Sequence, residues 1–208
     1  LRHLEGKRFL AAPRFDGIDE QGREILSFIP GDVPRDLAFF SDAQLVAAAR
    51  LLRRFHDATI DFEPMTPGAV VCHGDASPCN HVFREGMPIA LIDFDTARIG
   101  SRRDDVGYAA WLWLDLGNPS VQANAQGRRL ALFFDAYGMA GTDAIEAVRD
   151  AQDSLAGRNV ARPEIREWAL ACRDFVTGHA TALDAAIVDH LASTRSRSTP
   201  PQAMSAAR

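Results

Sequence analysis

His73-Gly74-Asp75 closes the apolar run at residues 69–72, Asn80 follows five places after Asp75, and a second apolar run at 89–92 ends in Asp93-Phe94-Asp95. A magnesium ion takes hard oxygen ligands, keeps several waters, and needs one or two protein groups beside substrate phosphates. Asn80 and Asp93 suit that task. Asp75, on the loop between the first run and Asn80, stands near such an ion without having to touch it. There it can accept the proton of an attacking hydroxyl. This is the chemistry of phosphoryl transfer, in which a protein mainly positions groups and neutralises charge.

These three residues must be brought together by the elements around them. Residues 69–72 are short and branched and read as a strand. Residues 81–84 and 89–92 read as a hairpin around Glu85-Gly86-Met87-Pro88. Pairing Arg84 with Ile89 fixes an antiparallel register that sets Asn80 opposite Asp93. Upstream, Ser41 followed by Gln44 has the form of a capping box. Leu45, Ala48, Ala49, Leu52 and Phe55 then recur at helical spacing, with Arg50, Arg53, Arg54 and Asp57 opposite, so an amphipathic helix is expected to end near Ala58. Residues 13–29 read as an earlier hairpin about the polar turn Asp19-Glu20-Gln21-Gly22. From residue 104 onward four helices are expected, over 104–116, 120–137, 142–156 and 163–191.

The 208 residues suffice for a real core, and 47% hydrophobic with 25% charged is the balance of an ordinary globular protein rather than a disordered one, to which the hairpins and helices read above give an α+β class. A formal charge of -5 gives no general attraction to nucleic acid or anionic lipid and mildly favours a cationic small molecule. No apolar run approaches the ~20 residues of a membrane-spanning helix, and no signal-peptide pattern opens the chain, so a cytoplasmic protein with no membrane partner is expected. Cys72, Cys79 and Cys172 are too few and too odd in number for a disulfide framework.

The spacing Asp-x-x-x-x-Asn followed by a strand and another Asp is that of the protein-kinase catalytic and metal loops. With His-Gly-Asp in place of His-Arg-Asp, and "LIDFD" as the metal loop, the chain resembles the aminoglycoside phosphotransferase and choline kinase-like branch of that fold. "LLRRFHDAT" is similar to the helix before the catalytic strand, and "RRDDVGYAAW" to the segment whose Asp, here Asp105, buttresses the catalytic loop. The resemblance implies a protein-kinase-like fold with a mostly helical C-terminal lobe. It implies ATP and magnesium, a small-molecule acceptor, a bracing role for His73, and an adenine-facing hinge at Ser27, Phe28 and Ile29. The division it suggests is 1–30 as a remnant of the small lobe with the hinge, 31–192 as the helical catalytic lobe, and 193–208 as a disordered tail.

One part of the family pattern is missing. No loop with clustered glycines precedes residue 40, and the only lysine, Lys7, lies at a helix end before the first hairpin. Residues 1–8 read as the end of a helix, so either further chain precedes Leu1 or this is a natural short form. Two functions follow: a small-molecule kinase, or a pseudo-kinase that binds a ligand or partner without phosphotransfer. The exposed edges of the first hairpin suggest pairing with a second copy or packing on the helical lobe. Cys72, His73, Cys79 and His81 admit a zinc reading, although their spacing fits no usual zinc pattern. Asp95 reads as a further metal-site carboxylate or an exposed loop residue. Arg98, Arg102 and Arg103 read first as a solvated surface and second as phosphate contacts. Trp111 and Trp113 both read as core.

Overall fold

The computed structural model describes residues 1–198, with side chains through residue 194. Its elements are α1 (Arg2–Gly6), β1 (Phe15–Ile18), β2 (Glu24–Leu26), α2 (Asp42–Asp57), β3 (Val70–Cys72), β4 (His81–Arg84), β5 (Met87–Leu91) and β6 (Arg98–Gly100). Five helices follow: α3 (Arg102–Leu114), α4 (Ala123–Tyr137), α5 (Ala144–Arg158), α6 (Pro163–Gly178) and α7 (Ala180–Ser198). The strands form three antiparallel two-stranded pairs, β1–β2, β3–β6 and β4–β5, of which β3 packs on α2 and α3 and β5 on α2. The arrangement is a mostly helical α+β fold of the protein-kinase-like kind with a reduced N-terminal lobe.

Helix α2 starts where the capping box requires. The Ser41 hydroxyl accepts from the Gln44 amide at 3.3 Å, and the Gln44 carboxamide oxygen accepts from the Ser41 amide at 2.7 Å. Leu45, Ala48, Ala49, Leu52 and Phe55 are buried along one face as their spacing predicts, and the helix ends at Asp57 with Ala58 as its cap. The carboxamide nitrogen of Gln44 also donates to the Gly86 carbonyl at 2.8 Å, so the start of α2 holds the tip of the β4–β5 hairpin. Helix α3 is buried over most of its length, including Trp111 and Trp113, and packs against α2, α4 and α5.

Four sequence expectations change. The β4–β5 turn has two residues, Glu85 (φ 51°) and Gly86 (φ 75°), and Arg84 pairs with Met87 rather than Ile89. Both central residues have positive φ, the geometry a tight hairpin turn favours. A bulge between Val82 and Phe83 then shifts the ladder, pairing Val82 with Ala90 and His81 with Leu91. The strand at 70–72 gains a partner, β6, that the sequence had not suggested. The expected helix over 163–191 is two helices, because Gly178 ends α6 and His179 sits at φ -112°, ψ 13°. Finally, α7 continues to Ser198 rather than giving way to a tail at 193. Ser193 and Thr194 hydroxyls donate to the carbonyls of Asp189 and His190, and no proline intervenes before Pro200, so the helical ladder persists. The rest of the expected tail, 199–208, lies outside the described residues.

The connector at 30–34 is joined to the second hairpin. Asp32 exchanges both backbone hydrogen bonds with Phe83, at 2.9 and 2.7 Å, and the Arg84 guanidinium donates to the Pro30 carbonyl at 2.9 Å.

Candidate active site

Strand β3 leads into His73, Gly74 and Asp75 beside α3, where a single buried carboxylate receives the first two. Asp105 Oδ2 accepts from the His73 amide at 2.7 Å, and Oδ1 accepts from the Gly74 amide at 2.9 Å. His56 Nε2 adds a third bond to Oδ2 at 2.9 Å. Burial alone would push the Asp105 carboxyl up, but the His56 bond and these amides outweigh it and hold it below the usual carboxylate range. Gly74 takes φ +80°, a left-handed conformation that a residue without Cβ adopts freely.

The metal-loop side is fastened through the two backbone polar groups of one residue, Ile92. The Ile92 amide donates to the Asn80 carbonyl at 3.0 Å, and the Ile92 carbonyl accepts from His73 Nε2 at 3.0 Å. Ile92, not Asp93, therefore stands opposite Asn80, a one-residue correction that follows from the short turn and the bulge. Asp93 is the next residue, at φ +63°, a left-handed conformation that Asp tolerates better than most, and it is exposed. Asn80 is 9% exposed and its Nδ2 donates to the Asp75 carbonyl at 2.9 Å, leaving its side-chain oxygen free of that bond. The structure thus ties the Asp75 backbone directly to the Asn80 side chain, and sets Asp93 next to Ile92, whose N–H and C=O bond Asn80 and His73.

Burial pulls the His73 imidazole below its ordinary range despite the Asp105 charge. Its Nε2–H is committed to Ile92, its ring packs on Phe94 at 4.7 Å, and its carbonyl accepts from Thr96 Oγ1 at 2.9 Å. These contacts are those of a brace. Asp75 differs: its Oδ1 is buried with no hydrogen-bond partner. Tyr108 lies nearby, and burial together with the Asp75 charge pushes its hydroxyl well above the usual tyrosine range, so that it stays protonated.

Sequence reasoning missed the layer behind Asp105. Arg102 Nη1 donates to the Tyr137 hydroxyl oxygen at 3.1 Å, the Tyr137 hydroxyl lies 2.6 Å from His56 Nδ1, and His56 Nε2 meets Asp105. This chain of donors runs from the surface to the loop, with Arg102 Nη2 also bonded to Asp57 at 2.8 Å. A signal was available for His56: it falls at the buried helical position that continues Leu45, Ala49 and Leu52. Trp113, read as core, is buried, and it also donates its indole N–H to the Ala76 carbonyl at 3.1 Å, supporting the loop just past Asp75.

Other expected site residues lie elsewhere. A cleft of about 570 Å³ opens between α1, the β1–β2 hairpin, the end of α2 and residues 93–99, and Asp93, Phe94, Asp95 and Arg98 line it. Ser27, Phe28 and Ile29 line a separate cavity of about 440 Å³ with Arg8 and Phe9. The hinge residues therefore do not share a cavity with Asp93. Lys7 is bonded to Asp61. The ring N–H of His81 goes to the Ser77 carbonyl at 2.8 Å, and burial pulls its imidazole down to about 3. Burial likewise pushes the Cys72 thiol up to about 12.

Among the described residues no three His, Cys, Asp or Glu side chains converge as a metal site. The oxygen donors available are the Asn80 carboxamide and the Asp93 carboxylate, which makes no hydrogen bond or ion pair among the described residues. The oxygen of a carboxamide whose nitrogen is already bonded, and a carboxylate with no bond, fit a magnesium ion that takes its remaining ligands from water and phosphate.

The sequence pattern of the phosphotransferase enzyme family matches residues 60–150, the stretch that contains the catalytic loop, the metal loop and Asp105. The trifolitoxin immunity protein of Rhizobium leguminosarum bv. trifolii is 35% identical over 166 residues, covering 67% of this chain and 62% of that protein. The chain therefore spans less than two thirds of the length of this relative. A solved structure from Ralstonia eutropha JMP134, provisionally assigned as an aminoglycoside phosphotransferase, superposes with a TM-score of 0.50 at 15% identity, over 85% of this chain and 80% of that one. A choline/ethanolamine kinase family protein from Mesorhizobium loti gives 0.47 at 12% identity, over 90% and 80%. The chain bears a family-level resemblance to the aminoglycoside phosphotransferase and choline kinase-like proteins of the protein-kinase-like fold.

Proposed function

We propose that this chain belongs to an ATP-dependent small-molecule kinase that phosphorylates a hydroxyl of an amine- or sugar-containing acceptor. The observation that carries the reading is the joint at Ile92, whose two bonds bring His73 and Asn80 to the residue preceding Asp93. Asp75 is the base: its unpartnered Oδ1 takes the acceptor proton as the acceptor oxygen bonds to the γ-phosphorus. The bond to the bridging oxygen then breaks, its electron pair leaving with ADP. Asn80 and Asp93 hold magnesium, which when bound neutralises phosphate charge. His73 and Asp105 keep the loop in position, and Ser27, Phe28 and Ile29 form the nucleotide hinge. The protein works in the cytoplasm, with 1–30 as the small-lobe remnant and 31–192 as the catalytic lobe. The edge of the β1–β2 hairpin, with Ile18 and Ile25 exposed, pairs with a second copy.

A second reading has its own support. The one lysine of this sequence is engaged with Asp61 and so is not placed as a phosphate anchor, which favours a pseudo-kinase module that binds a ligand or partner without phosphotransfer. The relative with a toxin-immunity role fits either reading, since a toxin can be modified or held. The deciding measurement is ADP release from magnesium-ATP with a panel of amino alcohols and aminoglycosides, beside the melting temperature. The kinase reading expects turnover that Asp75→Ala abolishes while the nucleotide-dependent thermal shift remains. Turnover retained in that variant refutes the assignment of Asp75; a protein that neither turns over nor shifts is the binding module.

A further inference from the structure

Gly74 has room for no side chain. A Cβ there would stand 2.4 Å from the Thr96 carbonyl oxygen and 2.7 Å from Arg98 Nη1, so the guanidinium of Arg98 occupies the place a side chain on the catalytic loop would need. Arg98 opens β6 and pairs with Cys72, which fixes its backbone beside the residue that precedes His73. Its side chain borders two cavities. One is the cleft that reaches the β1–β2 hairpin and contains Asp93. The other, of about 250 Å³, lies between the catalytic loop, α3 and α5 and is lined by Gly74, Tyr108 and Arg158. Asp93, Asp95 and Asp104 share those cavities with it, yet among the described residues the Arg98 guanidinium makes no hydrogen bond or ion pair.

A planar cation with five donors, held against the catalytic loop without a partner, is suited to gripping a tetrahedral anion with two parallel bonds. A group passed from the hairpin side to the helical side goes by Arg98, since among the described residues no other arginine borders both cavities. We propose that Arg98 is a catalytic residue that grips the terminal phosphate of ATP during transfer. The proposal rests on the phosphotransfer reading. Arg98 donates N–H groups to the non-bridging oxygens of the phosphoryl group, and no bond to the arginine forms or breaks. The absence of a side chain at Gly74 is what admits the guanidinium.

Calorimetric titration of the full chain with magnesium-ATP and magnesium-ADP tests this. Arg98→Ala is expected to weaken ATP binding about tenfold, the value of one charge-assisted hydrogen bond, while ADP binding stays within about twofold. Arg98→Lys, which keeps charge but loses the fork, should fall between. Arg158→Ala should leave the ATP to ADP ratio unchanged. Equal losses for both nucleotides in Arg98→Ala, no loss at all, or the same loss in Arg158→Ala would overturn the role of Arg98 alone. If the unsubstituted chain binds neither nucleotide, the phosphotransfer reading itself fails and the proposal falls with it.

Discussion

Replacing Asp105 by Asn tests whether one buried carboxylate organises the catalytic loop. Asp105 is 1% exposed and receives three bonds, two at Oδ2 and one at Oδ1. A carboxamide of the same shape keeps an acceptor on one side only. Its best placement leaves oxygen facing His73 and His56, and sets an NH₂ group against the Gly74 amide at the 2.9 Å where a carboxylate oxygen now accepts. The loss is one charge-assisted bond, about 1.5–3 kcal/mol, together with a buried donor left unsatisfied, about 1–3 kcal/mol. A destabilisation of about 4 kcal/mol at neutral pH follows, equivalent to a melting shift of about 10 °C for a chain of this length. Urea unfolding at several pH values supplies the assay. The folded carboxyl is held below its unfolded value, so its contribution is fully present above about pH 4 and fades as pH falls through the folded pKa. The gap between wild type and Asp105→Asn should accordingly narrow in acid. A variant within about 1 kcal/mol of wild type at neutral pH would show that the loop does not depend on this carboxylate.

Burial of His81 leaves its imidazole neutral down to about pH 3, while an unfolded histidine takes up a proton below about 6.5. Stability should decline as pH falls through that window, and His81→Asn, whose amide can still donate to the Ser77 carbonyl, should show a flatter decline; equal slopes by urea titration would count against it. Pairing of two copies through the first hairpin should appear as a dimer in light scattering, and Ile25→Lys should return it to a monomer. A monomeric unsubstituted chain would remove the idea.

The sequence was most legible where local chemistry decides the outcome. Ser41 and Gln44 begin a helix because they satisfy its first amides, whatever lies beyond, whereas the turn expected over Glu85-Gly86-Met87-Pro88 closes within Glu85 and Gly86 alone. Register was harder, since moving the turn by a residue and adding a bulge at Val82 and Phe83 costs little locally but exchanges Asp93 for Ile92 opposite Asn80. The candidate site was read from Asp75, Asn80 and Asp93 in order along the chain. Its support was not, because Tyr137 lies 81 residues from His56 and Trp113 lies 37 from Ala76, and no spacing rule links them. Arg98 is exposed, as its reading as a solvated charge has it, and only the structure shows that its guanidinium also rests against Gly74.

Ile92 is joined on both sides, through its N–H to Asn80 and through its C=O to the His73 ring. The two loops are therefore indexed to each other by strand phase, and the hairpin tip at Glu85-Gly86 lies at the opposite end of the ladder. Extra residues accepted at that tip would leave the phase intact, whereas a single insertion between Met87 and Ile92 would turn both polar groups of the joint away from their partners. Variation in length among chains built on this plan should accordingly gather at the tip and spare the segment from 87 to 92.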